Sequence, residues 1–266
     1  MNKINLRDSF TAFGKPPGLR RLRCLASVIV LTVPLGALAG NLDAQFAQVQ
    51  QASWHGDVAQ LVALSQSLAP AAAKDDVQAE YLAAYVDYRI AATGQRDQAR
   101  YRPQIVDALQ RAEARLQSLS TRDSPYQAEA LALLSSVYGL DIAMDPAKGA
   151  SLGYQSAMAI NHAEQLAPNN PRVLLIKGMG KLFTPPIYGG DRNQAVQSFD
   201  RTIALLPTGR ADAVNWGLDD AYIWRGMAQQ AAGDVQGART SFQQALRVAP
   251  QQGWATALLT GIDKAK

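Results

Sequence analysis

The sequence predicts an all-α chain whose short helices pair into antiparallel hairpins that stack into a right-handed superhelix. Three observations carry this. Apolar residues recur at three- and four-residue spacing along nearly the whole chain after residue 41. The breaks are short clusters of Gly, Pro, Asp and Asn. No stretch alternates apolar and polar residues with β-branched enrichment, so no strand is predicted. One helical hairpin cannot bury its apolar face alone, so hairpins of this kind stack into a solenoid.

Residues 1–39 read as a leader and not as part of that stack. Lys3, Arg7, Lys15, Arg20, Arg21 and Arg23 precede an uncharged apolar run of 15 residues, Leu25 to Ala39, which ends in Ala37-Leu38-Ala39. A basic segment, an apolar segment and small residues at the cleavage positions make a secretory signal peptide. The run is shorter than the roughly 20 residues that cross a bilayer, so no stable membrane insertion is expected after cleavage. Cys24 precedes the apolar run and is not a lipidation site, and Arg20-Arg21 is followed by residues that fit a twin-arginine signal poorly. Export to the periplasm follows.

The leader also explains the charge. The whole chain carries 26 basic and 22 acidic residues and a net charge of +4; without the six bases and Asp8 of the leader, 20 and 21 remain, a net charge of −1. The basic excess therefore belongs to the leader, and no nucleic-acid partner is expected. The sole cysteine lies in the leader as well, so the remaining chain has neither a disulfide nor thiolate chemistry.

Residues 40–124 predict helices over 42–54, 57–69, 75–92 and 98–119, hairpins with a turn such as Gly56-Asp57 but poor repeat periodicity. Asp75-Asp76 reads as a helix cap. Tyr81, Tyr85 and Tyr88 have helical spacing and read as core.

Residues 125–266 predict helices over 125–142, 149–166, 171–183, 192–206, 215–231 and 235–248, closed by a capping helix over 252–263. The repeat is clearest in the 34 residues 219–252. Gly226 stands at position 8, Gly233-Asp234 in the turn, Ala238 at position 20, Phe242 at 24, Ala245 at 27 and Pro250 at 32. Gly226 and Ala238 are expected to face each other where the paired helices touch. Phe242 should fill the space towards the next helix, and Pro250 should end the second helix. The preceding unit repeats the pattern in Gly178, Ala195, Phe199, Thr202 and Pro207. Gly178 and Ala195 are 17 residues apart where the regular unit has 12, and the five extra residues fall within Thr184 to Asp191. A weaker unit with Ala163 and Pro168 comes before it.

This spacing resembles the tetratricopeptide repeat, with Tyr222 in place of its usual Trp and Gln229 in place of an aromatic. Pro168-Asn169-Asn170-Pro171-Arg172, Gly178, Thr184-Pro185, Tyr188-Gly189-Gly190-Asp191, Ala195 and Phe199 together resemble exported bacterial tetratricopeptide-like proteins. They are also similar to the TatT-like partner proteins of periplasmic solute transporters. The resemblance covers about residues 125–250. It implies a binding scaffold with a protein or peptide partner in its concave face, or alternatively a small-molecule-binding partner of a transport system.

No constellation in the sequence points to catalysis. His55 and His162 are far apart and have no second ligand at metal spacing, and Gly178-Met179-Gly180-Lys181 lacks the preceding glycine of a phosphate loop. No cofactor, metal site or enzymatic activity is expected. The candidate groove edge is the loop tip Ile187 and Tyr188 together with Trp216 and Trp224; for the two tryptophans packing is the favoured expectation and the groove edge the alternative. Within Thr184–Asp191, Pro185-Pro186 should stop the first helix, Gly189-Gly190 should supply positive φ and Asp191 should cap the second. The favoured expectation for Ile187 and Tyr188 is a packing plug, with a binding edge as the alternative.

Overall fold

The computed structural model describes residues 42–72, 76–206 and 216–264. The leader, Asp75 and Pro207 lie outside the described residues, so the expectations placed on them stand apart from the fold. Among the described residues the elements are α1 (Leu42–His55), α2 (Val58–Ala72), α3 (Val77–Gly94), α4 (Gln98–Ser120), α5 (Gln127–Met144), α6 (Gly149–Leu166), α7 (Pro171–Phe183), α8 (Arg192–Leu205), α9 (Leu218–Ala231), α10 (Val235–Val248) and α11 (Gly253–Lys264). Short 3-10 turns cover Gln95–Asp97, Pro146–Lys148 and Pro186–Tyr188. No strand occurs among the described residues, and no helix there is long and apolar enough to cross a membrane.

Local chemistry sets the boundaries. Asp76, Asp97, Asn170, Asp191 and Asp234 each accept hydrogen bonds from backbone N–H groups in the first turn of the helix they precede. These are donors that the helix itself leaves unpaired. Gly217 has φ +111°, a conformation a helix cannot contain, so α9 begins at Leu218 and not at 215. Trp216 is therefore a pre-helix residue.

Consecutive helices pack against each other along the chain, and the odd-numbered helices form an inner layer, α1 on α3, α3 on α5, α5 on α7 and α7 on α9. The layer also meets its other end, since α1 touches α11. This is the stack of antiparallel pairs expected from the repeat. One apolar core runs from Leu42 to Ala228, continuous across residue 124, and two smaller clusters lie between α9, α10 and α11.

Helix α3 departs from a regular repeat helix. Of its 18 residues 15 are buried, polar and apolar alike, so protein surrounds it on every side. Asp87 is fully buried; it accepts from Ser65 at 2.7 Å and is paired with Arg111 and Arg115. Arg89 reaches across to Asp220 of α9 at 2.8 Å. Tyr85 stacks on Trp216 at 4.9 Å, and Tyr81 donates to Glu129 of α5 at 2.7 Å. The three tyrosines are core, as expected.

Repeat packing adds one contact to those expected, between the glycine at position 8 and the aromatic at position 24. A Cβ on Gly226 would stand 2.5 Å from the Phe242 ring, and one on Gly178 would stand 2.5 Å from the Phe199 ring. The glycine makes room for the aromatic at position 24, and the same contact recurs in both units. Ala195, Phe199, Ala238, Phe242 and Ala245 are all fully buried. Pro250 follows the end of α10, one residue after its C-cap Ala249.

Candidate partner-binding ledge

The loop between α7 and α8 is short of apolar cover yet well fixed. Helix α7 ends at Phe183 because Pro185 and Pro186 follow. The chain then makes a 3-10 turn, with Tyr188 N–H donating to Pro185 O, Gly189 N–H to Pro186 O and Gly190 N–H to Pro185 O. Asp191 N–H donates back to Lys181 O at 2.9 Å, and Lys181 Nζ donates to Gly189 O at 3.0 Å. Gly189 has φ +92°, as a left-handed turn residue. Gly190 has a different reason: a Cβ there would lie 1.7 Å from Thr184 O. Asp191 caps α8, and the N–H groups of Gln194 and Asn193 help hold its carboxyl below the usual range.

The favoured expectation of a packing plug fails here. Ile187 is 82% exposed and Tyr188 76% exposed, because the 3-10 turn carries both side chains away from the core. Trp216 follows the favoured packing expectation and is not a groove edge. It is buried, stacked on Tyr85, with the Arg172 guanidinium 5.7 Å from its ring centroid.

Trp224 does line a surface. It is half-buried and sits in an edge-to-face row, with Phe183 on one side at 5.3 Å and Trp254 of α11 on the other at 4.9 Å. Phe183 is 60% exposed and stands four residues before Ile187, so the row and the loop tip are neighbours. At the far end the Arg96 guanidinium lies 4.5 Å from the Trp254 ring centroid. A shallow recess beside the loop is lined by Lys181, Thr184, Gly190, Asp191 and Arg192, among others.

Sequence reasoning does not single out Phe183, Trp254 or Arg96. Phe183 carries a signal, a large apolar residue at the last position of a helix that two prolines end. Arg96 and Trp254 meet only because α11 packs back towards α1 and α3, and nothing local in the sequence announces that. His55 and His162 are both exposed, and no group of three or more metal-ligating side chains occurs among the described residues.

No family model matches the sequence, and no curated protein matches it. Two solved structures are similar. One is the HusA haemophore from Porphyromonas gingivalis, 19% identical, with a TM-score of 0.59 over 73% of this chain and 93% of that one. The other is a thermophilic TPR protein of Thermus thermophilus, 16% identical, with a TM-score of 0.56 over 84% of this chain and 97% of that one. The fold is that of a tetratricopeptide-like helical-repeat protein.

Proposed function

We propose that this protein is an exported helical-repeat scaffold, without catalytic activity, that holds a protein or peptide partner against the ledge formed by Phe183, Ile187, Tyr188 and Trp224. The observation that carries the reading is the pair Ile187 and Tyr188, two large apolar side chains more than three-quarters exposed on a loop whose backbone is pinned at both ends. A pinned loop loses little entropy on binding, and apolar groups held in water are the usual mark of an interaction surface. Helix α3 is enclosed by protein, which favours this edge over the concave face as the binding surface. Export rests on the leader.

The double variant Ile187→Ala with Tyr188→Ala tests the ledge. It should melt within about a degree of the wild type, because surface changes of this kind cost little, and it should lose the partner recovered from periplasm by the wild type. A marked drop in melting temperature with partner recovery intact would return the tip to a packing role.

A second reading is a small-molecule carrier or transporter partner. The adjoining rings of Phe183, Trp224 and Trp254 favour it, as does the likeness in fold to a haemophore. Titration with haemin tests the haem form of this reading: a saturable absorbance change with one equivalent supports it, and no change excludes haem.

A further inference from the structure

We propose that the row Phe183–Trp224–Trp254, closed at one end by Arg96, is a binding site for a flat aromatic molecule that carries an anionic group. The inference rests on the small-molecule reading and adds to it the chemical class of the ligand.

The ring surface comes first. Phe183 is exposed, and Trp224 and Trp254 are half-buried, so three aromatic side chains from α7, α9 and α11 leave part of their surface open side by side. Each contact in the row is edge-to-face, which holds the rings at fixed angles and leaves π-surface free for a further ring. The three helices are consecutive members of the inner layer, so the row is held by the scaffold and not by a loop.

The charge comes second, and it decides the ligand class. Arg96 belongs to the 3-10 turn between α3 and α4, and no carboxylate among the described residues pairs with it. Arg89 pairs with Asp220, Arg111 and Arg115 with Asp87, and Arg225 with Asp200. Asp97, next to Arg96 in sequence, is engaged as the cap of α4. Desolvation first, then the charge of Arg89, lower Arg96 to about 10 against the opposing pull of Asp220 and Tyr88. A guanidinium stacked on an indole keeps its N–H donors in its own plane and free at the rim, the geometry that takes a carboxylate or sulfonate. A ligand ring on Trp224 and Trp254 would place an attached anion at that rim.

The test uses two fluorescent probes with the same ring system, anilinonaphthalene sulfonate and the neutral phenylnaphthylamine, titrated into the exported protein and its variants. The proposal expects saturable binding of one equivalent of the sulfonate. Arg96→Gln should weaken that binding by roughly ten- to hundredfold, the value of a charged hydrogen bond, and should leave the neutral probe unchanged. Arg96→Lys keeps the charge and should retain most of the affinity, and Trp254→Leu should weaken both probes. Melting temperatures confirm that each variant folds. If both probes bind and Arg96→Gln affects neither, the proposed class is wrong while a small-molecule site survives. If neither probe binds saturably, the small-molecule reading falls and the proposal with it.

Discussion

At Gly178 and Gly226 a hydrogen atom leaves the only space that Phe199 and Phe242 can occupy. Gly226→Ala would add a methyl carbon 2.5 Å from the Phe242 ring, inside any real contact distance. Overpacking of this kind costs about 1–3 kcal/mol, so the urea midpoint of Gly226→Ala should fall clearly. Gly139→Ala is the control. It lies within α5 with nothing within 4 Å of its added Cβ, so it should be neutral or stabilising by up to about 1 kcal/mol. Equal losses in the two variants would remove the glycine–aromatic contact as the basis of the repeat register. A second single residue controls pH response. Asp219 is buried beside Asp220, and burial first, then the Asp220 charge, push it up to about 6 despite hydrogen bonds from Trp54 and Gln252, both at 2.8 Å, and the nearby charge of Arg89. Its unfolded value is the ordinary carboxylate value near 4. Between those two values the folded state binds the extra proton, so this group's contribution becomes more favourable as pH falls from about 6 to about 4. The stability of the wild type relative to Asp219→Asn should therefore rise over that window in a series of thermal melts; a flat difference would mean that Asp219 titrates normally.

At the scale of the element, α3 is the hub. Its Arg89 is buried with Asp220, and the cost of that burial is outweighed only by Asp220 together with Tyr85, Tyr88 and Asp219, which raise the arginine above its ordinary value. Removing one partner of a buried pair leaves the other charge uncompensated, at a cost of about 3–5 kcal/mol. Arg89→Ala should lower the unfolding free energy by that much, and Arg89→Met combined with Asp220→Leu should recover a large part. If the double variant is no better than the single one, the pair is not what joins α3 to α9. The same helix explains what could be read in advance. Helices α6, α7 and α10 lie where periodicity and turn residues placed them, because each keeps an exposed face and an apolar face for that rule to detect. Helix α3 was legible as a helix but not as a hub, since a segment enclosed by protein on all sides carries Asp87 and Arg89 inside, and its partners lie in distant parts of the chain. For Trp216 packing is the favoured reading and the stacking on Tyr85 agrees with it, but Tyr85, its partner, lies too far away in the chain to be named from the sequence. Ile187 and Tyr188 misled, because apolar residues in a Pro- and Gly-rich loop suggest a plug, while the 3-10 turn directs them outward.

At the scale of the whole molecule, a stack of helix pairs carries one apolar ledge, and residues 1–39 are proposed as an export leader. Export predicts that sequencing of the protein from the periplasm begins at Gly40; full-length protein held in the inner membrane would contradict it. The stack supplies rigidity, with α11 covering the last pair and α1 meeting both α11 and, through Trp54 donating to Asp219, α9. The ledge is where large apolar side chains on a fixed frame meet water, and the central claim is that a partner covers it. The most direct measurement is site-specific photo-crosslinking in the periplasm. A benzophenone amino acid replaces Tyr188 on the ledge and, in a separate variant, exposed Gln243 on α10. The account predicts a discrete heavier species from position 188 that is absent from position 243 and is lost when Phe183→Ser is added. No adduct at position 188, or the same adducts from both positions, would contradict it.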